Sequence, residues 1–253
     1  MLFDSHCHLD DERFDPDRAD VVERARAAGV ERFVIAATTR QRWPAVRDTA
    51  AAIDGAYPAY GLHPWFMDAH RAGDIDALDA WLDVNPAVAL GECGLDFYHS
   101  RADETTQLEL FRAQLELAAR HDLPVILHMR KAMDETLREL RRSRVRAGVA
   151  HSFAGSLQQA RQLVELGFKL GIAATVGYER ARKLREVVAA IDLDALLIET
   201  DAPDQPGPAH RGERNEPGFL VEHLEVMAGL RGMDSARLGQ QLTRNAQDLF
   251  GLE

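Results

Sequence analysis

Cysteine is nearly missing from this chain: Cys7 and Cys93 are the only two among 253 residues. That excludes a disulfide-stapled scaffold and fits a reducing compartment. Each thiol adjoins a residue of interest below, and reads as a small buried side chain ahead of a thiolate ligand. Long apolar runs are absent too; none approaches the ~18 residues of a membrane helix. Met1-Leu2-Phe3 enters a strand without the basic and apolar regions of a signal peptide. The expectation is a cytoplasmic protein with no membrane contact. Positive charge is also short, 30 Lys and Arg against 41 Asp and Glu, for a net charge of -11. A body that grips nucleic acid over a broad basic face is excluded, because counterion release needs clustered cations. A phosphate-bearing substrate has to be held locally, by bound metal ions and a few arginines. There is no Gly-x-Gly-x-x-Gly, no P-loop and no interdomain linker.

What is present is one unit repeated: a short apolar strand, a polar loop, an amphipathic helix, then a Gly, Pro or Asp stop. Strands are expected near 1–5, 32–36, 57–61, 87–91, 124–127, 147–150, 168–172 and 195–199. Helices are expected near 17–28, 44–53, 75–84, 104–121, 133–142, 157–166, 179–191 and 218–230, with an extra one near 235–250. Asp15-Pro16, Asp103 and Ser156 read as helix starts, and Gly29 as a stop. Strict alternation makes the strands parallel, each helix being the crossover. Eight such units in ~250 residues favour closure into a (β/α)8 TIM barrel of the α/β class over an open sheet, as a single domain over 1–253.

In such a barrel the site lies at the C-terminal ends of the strands. Strand one ends in His6 and His8, which strand alternation turns to one side. Strand three runs into His63, four into Glu92, five into His128, six into His151 and eight into Asp201. Five of the ten histidines thus stand at strand exits, whereas His70, His99, His121, His210 and His223 are scattered. His6, His8, Glu92, His128, His151 and Asp201 form a nitrogen and oxygen ligand set suited to Zn, Mn or Mg-like ions. Six are too many for one catalytic zinc, which keeps about three protein ligands and an open position. Two divalent ions sharing a carboxylate fit better, ~3.5–4 Å apart, neutralising both attacking and leaving oxygens. By location His6, His8 and Asp201 go to one ion, His128 and His151 to the other, and Glu92 bridges. Asp201 doubles as base toward the attacking water.

The motifs Phe3-Asp4-Ser5-His6-Cys7-His8-Leu9-Asp10, Gly61-Leu62-His63-Pro64, Gly91-Glu92-Cys93-Gly94-Leu95-Asp96, Pro124 through Arg130, His151-Ser152-Phe153-Ala154-Gly155, Glu199-Thr200-Asp201-Ala202-Pro203 and Arg211 through Pro217 resemble, in order, those of the TatD family of metal-dependent deoxyribonucleases. Asn245 through Phe250 resembles that family's closing helix. The resemblance implies an amidohydrolase-type barrel, divalent metal dependence, and hydrolysis of phosphodiesters, in some members from DNA 3' ends. It carries metal binding onto the same six residues. Ser152 and Ala154 depart from the family's usual Cys and Ser, and Asp204-Gln205 from its Tyr-Leu. The second departure touches the loop expected to border substrate, and is expected to leave metal binding alone.

Around this set, His63 faces either the substrate phosphate or attacking water, or packs beside Pro64 and Trp65. Arg130 and Arg211 are candidates to neutralise a phosphate. Asp96 either supports Glu92 or forms a turn, and Phe97 and Tyr98 either stack a base or pack. Arg138, Arg141, Arg142, Arg144 and Arg146 read as a solvated helix end. The leading function is a phosphodiesterase acting on DNA, 3'-5' exonuclease-like. The alternative is a hydrolase of small esters, lactones or aminoacyl-tRNA esters. Lysine-bridged amidohydrolases are disfavoured, since Lys131, Lys169 and Lys183 all lie away from the fourth strand exit.

Overall fold

The computed structural model describes residues 1–253. Eight parallel strands follow one another in chain order around a single sheet: β1 Leu2–Cys7, β2 Val30–Ala36, β3 Ala56–Tyr60, β4 Ala89–Asp96, β5 Val125–Arg130, β6 Gly148–Ala150, β7 Phe168–Ile172 and β8 Leu196–Ile198. The α-helices are α1 Arg18–Ala27, α2 Trp43–Ala52, α3 Asp74–Val84, α4 Glu104–Arg120, α5 Met133–Arg142, α6 Leu157–Glu165, α7 Arg182–Ala190, α8 Leu220–Arg231 and α9 Ser235–Phe250. The result is the TIM-barrel topology, with α1 to α7 each carrying the chain back to start the next parallel strand. No helix is long and apolar enough to cross a membrane.

The apolar residues form two shells. The larger lies where the strands meet the helices and contains both free thiols, fully buried. The smaller contains Phe3, Val34, Ala36, Ala59, Ala89, Ile126, Val149 and Leu197 from the strands, packed with Ala246 and Phe250 of α9. Phe3 and Phe250 have ring centroids 6.0 Å apart. The last helix therefore plugs the N-terminal end of the barrel, which leaves the C-terminal end to polar groups.

Two strands break their alternation on the way there. Phe3 and His6 are separated by an odd step, as are Ala89 and Glu92, so a regular strand would turn each pair to opposite faces. The register of β1 slips between Asp4 and Cys7, and that of β4 between Leu90 and Cys93. Each irregularity re-aims the following side chain, so that His6 and Glu92 both join the polar cluster.

The barrel is closed between β8 and β1 by loop and side-chain bonds. Asp201 N–H donates to the His6 carbonyl at 3.0 Å and His8 N–H to the Ala202 carbonyl at 2.7 Å. Ser5 Oγ donates to the Ile198 carbonyl at 3.0 Å. The fully buried Asp4 carboxylate accepts from Thr200 N–H at 2.9 Å and from its hydroxyl at 2.5 Å. Asp4→Ala strips three buried donors, Thr200 N–H, its hydroxyl and His6 N–H, of their acceptor, and is expected to cost about 2–4 kcal/mol, read as a lowered urea midpoint. An unshifted midpoint would mean that the seam does not depend on this carboxylate.

Helix ends follow local chemistry in part. Ser156 caps α6 reciprocally with Gln159, and Gly29 ends the turn after α1 at φ +89°. Asp103 precedes α4 without bonding its amides, and Asp15 ends a short 3-10 turn, Asp17 being the residue before α1. The arginine run is more than a solvated end: Arg138 and Arg142 converge with Arg112 of α4 on Glu139, which is buried.

Candidate metal centre

Glu92 is the hub. Its side chain is buried at the centre of five imidazoles, and its two oxygens face different partners. Oε2 lies 3.3 Å from His6 Nε2 and 3.7 Å from His8 Nε2. Those two nitrogens are 3.3 Å apart, and Asp201 Oδ1 stands 3.3 and 3.5 Å from them. Oε1 lies 2.9 Å from His128 Nδ1, 3.0 Å from His151 Nε2 and 3.0 Å from His63 Nε2. A cation with bonds of ~2.1 Å holds neighbouring donors ~3.0 Å apart in an octahedron and ~3.4 Å apart in a tetrahedron. The observed spacings, 2.9–3.7 Å, lie around that range. Groups within metal-holding distance include His6, His8, Asp201; His6, Glu92, His151; and His63, Glu92, His128. Neither cysteine enters one.

What lies behind each ring decides which nitrogen offers a lone pair. His8 Nδ1 donates to the Ala36 carbonyl at 2.9 Å, leaving Nε2 free. His128 Nε2 donates to Asp96 Oδ2 at 2.9 Å, leaving Nδ1 free. His151 Nδ1 is 3.3 Å from the buried Glu199 carboxylate, leaving Nε2 free. His63 is the opposite case: its Nδ1 accepts from Trp65 N–H at 2.9 Å, so in the neutral ring the proton sits on Nε2, facing Glu92. His63 is a donor at this site, and His8 and His128 each turn a free nitrogen to the cluster; Nδ1 of His6 and of His151 is buried without a hydrogen-bond partner.

Electrostatics follow from the crowding. Burial pushes the Glu92 carboxyl up, yet the imidazoles of His151, His63 and His6 outweigh it and hold Glu92 well below the usual range. Asp201 is held low in the same way, chiefly by His151 and by bonds from His6 and His8. Burial lowers His8, but Asp201 and Glu92 raise it to about 9. His151 ends well above its ordinary value, burial being overcome by Glu92 and Asp201. Burial takes His63 down to about 4, with Glu92 only partly opposing it.

The centre lies at the floor of a cleft of about 670 Å³. Arg130 lines it, together with Arg13 and Arg42. Arg211 does not: it is exposed on a loop whose backbone turns at Gly212, φ +88°, and lies outside the cleft lining. Arg13 is tied to Asp11 and Asp204, and Arg42 to Asp10 and Glu12, whereas Arg130 has no acidic partner. Asp96 supports His128 in place of Glu92. Phe97 is buried, and Tyr98 is half exposed.

Sequence reasoning passed over Glu199 as a neighbour of His151, although it stands two residues before Asp201, just past the end of β8. It also confined the Asp204-Gln205 departure to substrate. Gln205 Nε2 donates to Asp201 Oδ2, and its Oε1 accepts from Ser152 Oγ at 2.9 Å, so the change reaches the donor cluster. Asp201, Ser152 and Gln205 all have positive φ, at 58°, 45° and 51°. Three non-glycine residues in that region at one spot mark a site where backbone strain is tolerated.

This geometry has relatives. The chain is similar to YjjV of Escherichia coli (strain K12), an uncharacterized metal-dependent hydrolase, at 38% identity over 254 residues, covering 99% of this chain and 98% of the relative. The crystal structure of YjjV, a TatD homologue, matches with a TM-score of 0.96, covering 100% of this chain and 98% of that one. The 3'-5' ssDNA/RNA exonuclease TatD of Klebsiella pneumoniae (strain 342) is 34% identical over 261 residues, covering 100% and 98%. Residues 3–251 match the model of the TatD related DNase family, and the chain belongs to that family.

Proposed function

We propose that the protein is a two-metal phosphodiesterase acting on nucleic acid, with a 3'-5' exonuclease reaction on DNA as its leading activity. The observation that carries this is Glu92, whose two oxygens each face a separate set of donors. His6, His8 and Asp201 would hold one divalent ion and His128 and His151 the other, with Glu92 shared between them. When bound, the ions neutralise phosphate charge and acidify the attacking water; Mg, Mn and Zn all suit this donor set.

The chain supplies the rest. Asp201 Oδ1 takes a proton from the water as its oxygen bonds to phosphorus, while Gln205 fixes Oδ2. The bond from phosphorus to the sugar oxygen breaks, and that oxygen is protonated from solvent in the open cleft. His63 Nε2–H donates to a non-bridging phosphate oxygen, and Arg130 offers an uncommitted guanidinium in the same cleft. In a chain with net charge -11, local recognition of this kind replaces a basic surface. The relative from Klebsiella pneumoniae, an ssDNA/RNA exonuclease, supports the substrate class.

The test is turnover of 3'-labelled single-stranded DNA and RNA beside small esters, lactones and aminoacyl-tRNA, each with Mg, Mn and Zn. Shortening of the labelled strands, at rates at least tenfold above those for the small esters, is the expected result. Hydrolysis of lactones or aminoacyl esters with intact strands would overturn it.

A further inference from the structure

Large apolar side chains are exposed at five places, and three of them adjoin this cleft: Trp65 at 47%, Phe66 at 40% and Tyr98 at 50%. Trp65 and Phe66 line the cleft itself. Trp65 and Tyr98 both approach His99, with ring centroids at 5.0 and 4.9 Å. The guanidinium of Arg130 lies over both aromatic rings, 3.6 Å from the Tyr98 centroid and 5.6 Å from that of Trp65.

The group is anchored to the metal centre residue by residue. Trp65 stands two positions past His63 and its N–H donates to His63 Nδ1. Tyr98 stands two past Asp96, whose Oδ1 accepts the Tyr98 N–H at 2.9 Å. Arg130 stands two past His128 on β5, hence on the same face of the strand. Three supports of the Oε1 side of Glu92 thus each carry one member of an exposed aromatic and cationic platform.

Exposed aromatic faces cost a soluble protein free energy unless they are used. Nucleobases are their natural complement, since every base has a stackable face, and an arginine without an acidic partner complements phosphate. We propose that Trp65, Tyr98 and Arg130 form a subsite for an unpaired nucleobase and its phosphate, next to the scissile phosphodiester. The base stacks on the exposed aromatic face, and the guanidinium takes a non-bridging oxygen of the adjoining phosphate. A paired base has both faces stacked in the duplex, so the subsite selects single strands. This rests on the phosphodiesterase reading above.

The test uses the metal-loaded protein and 3'-labelled oligothymidylate, intact or with one abasic nucleotide beside the scissile bond. Trp65→Ala is expected to raise KM about tenfold on intact strands, the effect falling on KM more than kcat, with Trp65→Phe recovering most of it. The abasic substitution should raise the wild-type KM by a similar factor and add little to that of Trp65→Ala. A duplex of the same sequence should be cut at least tenfold more slowly. Matching oligouridylate tells DNA from RNA at the same subsite. Equal KM for intact and abasic strands in the wild type overturns the subsite alone; a wild type inactive on every strand overturns the phosphodiesterase reading with it.

Discussion

Glu92→Gln is expected to lower turnover by about a thousandfold or more and to reduce the bound metal, with the barrel still folded. Gln has the size of Glu, so packing around the hub is preserved. It replaces one oxygen by an NH2 group, whose hydrogens then point at one of the two donor sets. Whichever way the amide turns, one set loses an anionic oxygen and meets a donor where it needs an acceptor. Charge stabilisation by metal at a phosphoryl centre is worth several kcal/mol, and about 1.4 kcal/mol is tenfold in rate. Glu92→Asp separates charge from reach: it keeps the anion but, one methylene shorter, cannot face both sets at 2.9–3.7 Å. Elemental analysis and kcat on the same preparations check both variants. Full metal content with wild-type kcat in Glu92→Gln would remove Glu92 from the bridge.

The barrel was legible because its signals are local. Apolar runs and helix stops repeat, and all eight strands lie where that repeat puts them. Ends were less legible. Strand β4 runs on to Asp96 and β5 to Arg130, so Glu92 and His128 sit inside strands that were expected to stop before them. The period of two foretells that His6 and His8 share a side. It does not foretell that His6 shares the face of Phe3, because the slip in β1 belongs to its pairing with β2. Glu92 on β4 is the same case. At Gly94 an added Cβ would lie 2.0 Å from the His128 carbonyl oxygen, so that close approach of β4 to β5 requires glycine at its φ of +144°.

Long-range partners were the other blind spot. Asp4 reads as one residue of a motif, yet its work is to hold Thr200 across the seam, a contact spanning almost the whole chain. Gln205 reads as a loop residue, and its carboxamide reaches Asp201. Arg211 reads as a free cation on a loop near substrate, but only the start of that loop, at Asp204 and Gln205, lines the cleft, and Arg211 does not. Arg130, the other candidate cation, does line the cleft, because β5 continues two residues beyond His128. The role of His63 turns on one backbone bond from Trp65, which sets its tautomer and which no residue pattern encodes.

Chelation is expected to bring turnover to background, and re-addition of Mg or Mn to restore it, with an apparent metal affinity that rises with pH. The cause lies in the metal-free centre. His8 is raised to about 9, His151 well above its ordinary value, and His6 and His128 are also raised, each against burial, by the carboxylates they face. A proton on the nitrogen that faces the donor set, as His8 carries at neutral pH, has to be displaced by a metal ion. Each displaced proton makes affinity about tenfold stronger per pH unit until its pKa is passed, for His8 near 9. Stability has its own sign. Raised histidines stabilise the metal-free fold fully below ~6.5, and that contribution fades as pH climbs through the folded values. Glu92 and Asp201, held low, contribute above the ordinary carboxylate range and lose that contribution as pH falls through their folded values. The stabilisation that these particular groups give the metal-free centre is therefore largest in mildly acidic solution, whereas metal binds tighter, and so stabilises more, toward alkaline pH. Loading should move the pH of maximum thermal stability upward. Calorimetric titration in buffers of different protonation enthalpy counts the released protons; pH-independent affinity with no proton release would remove these imidazoles from the ligand set.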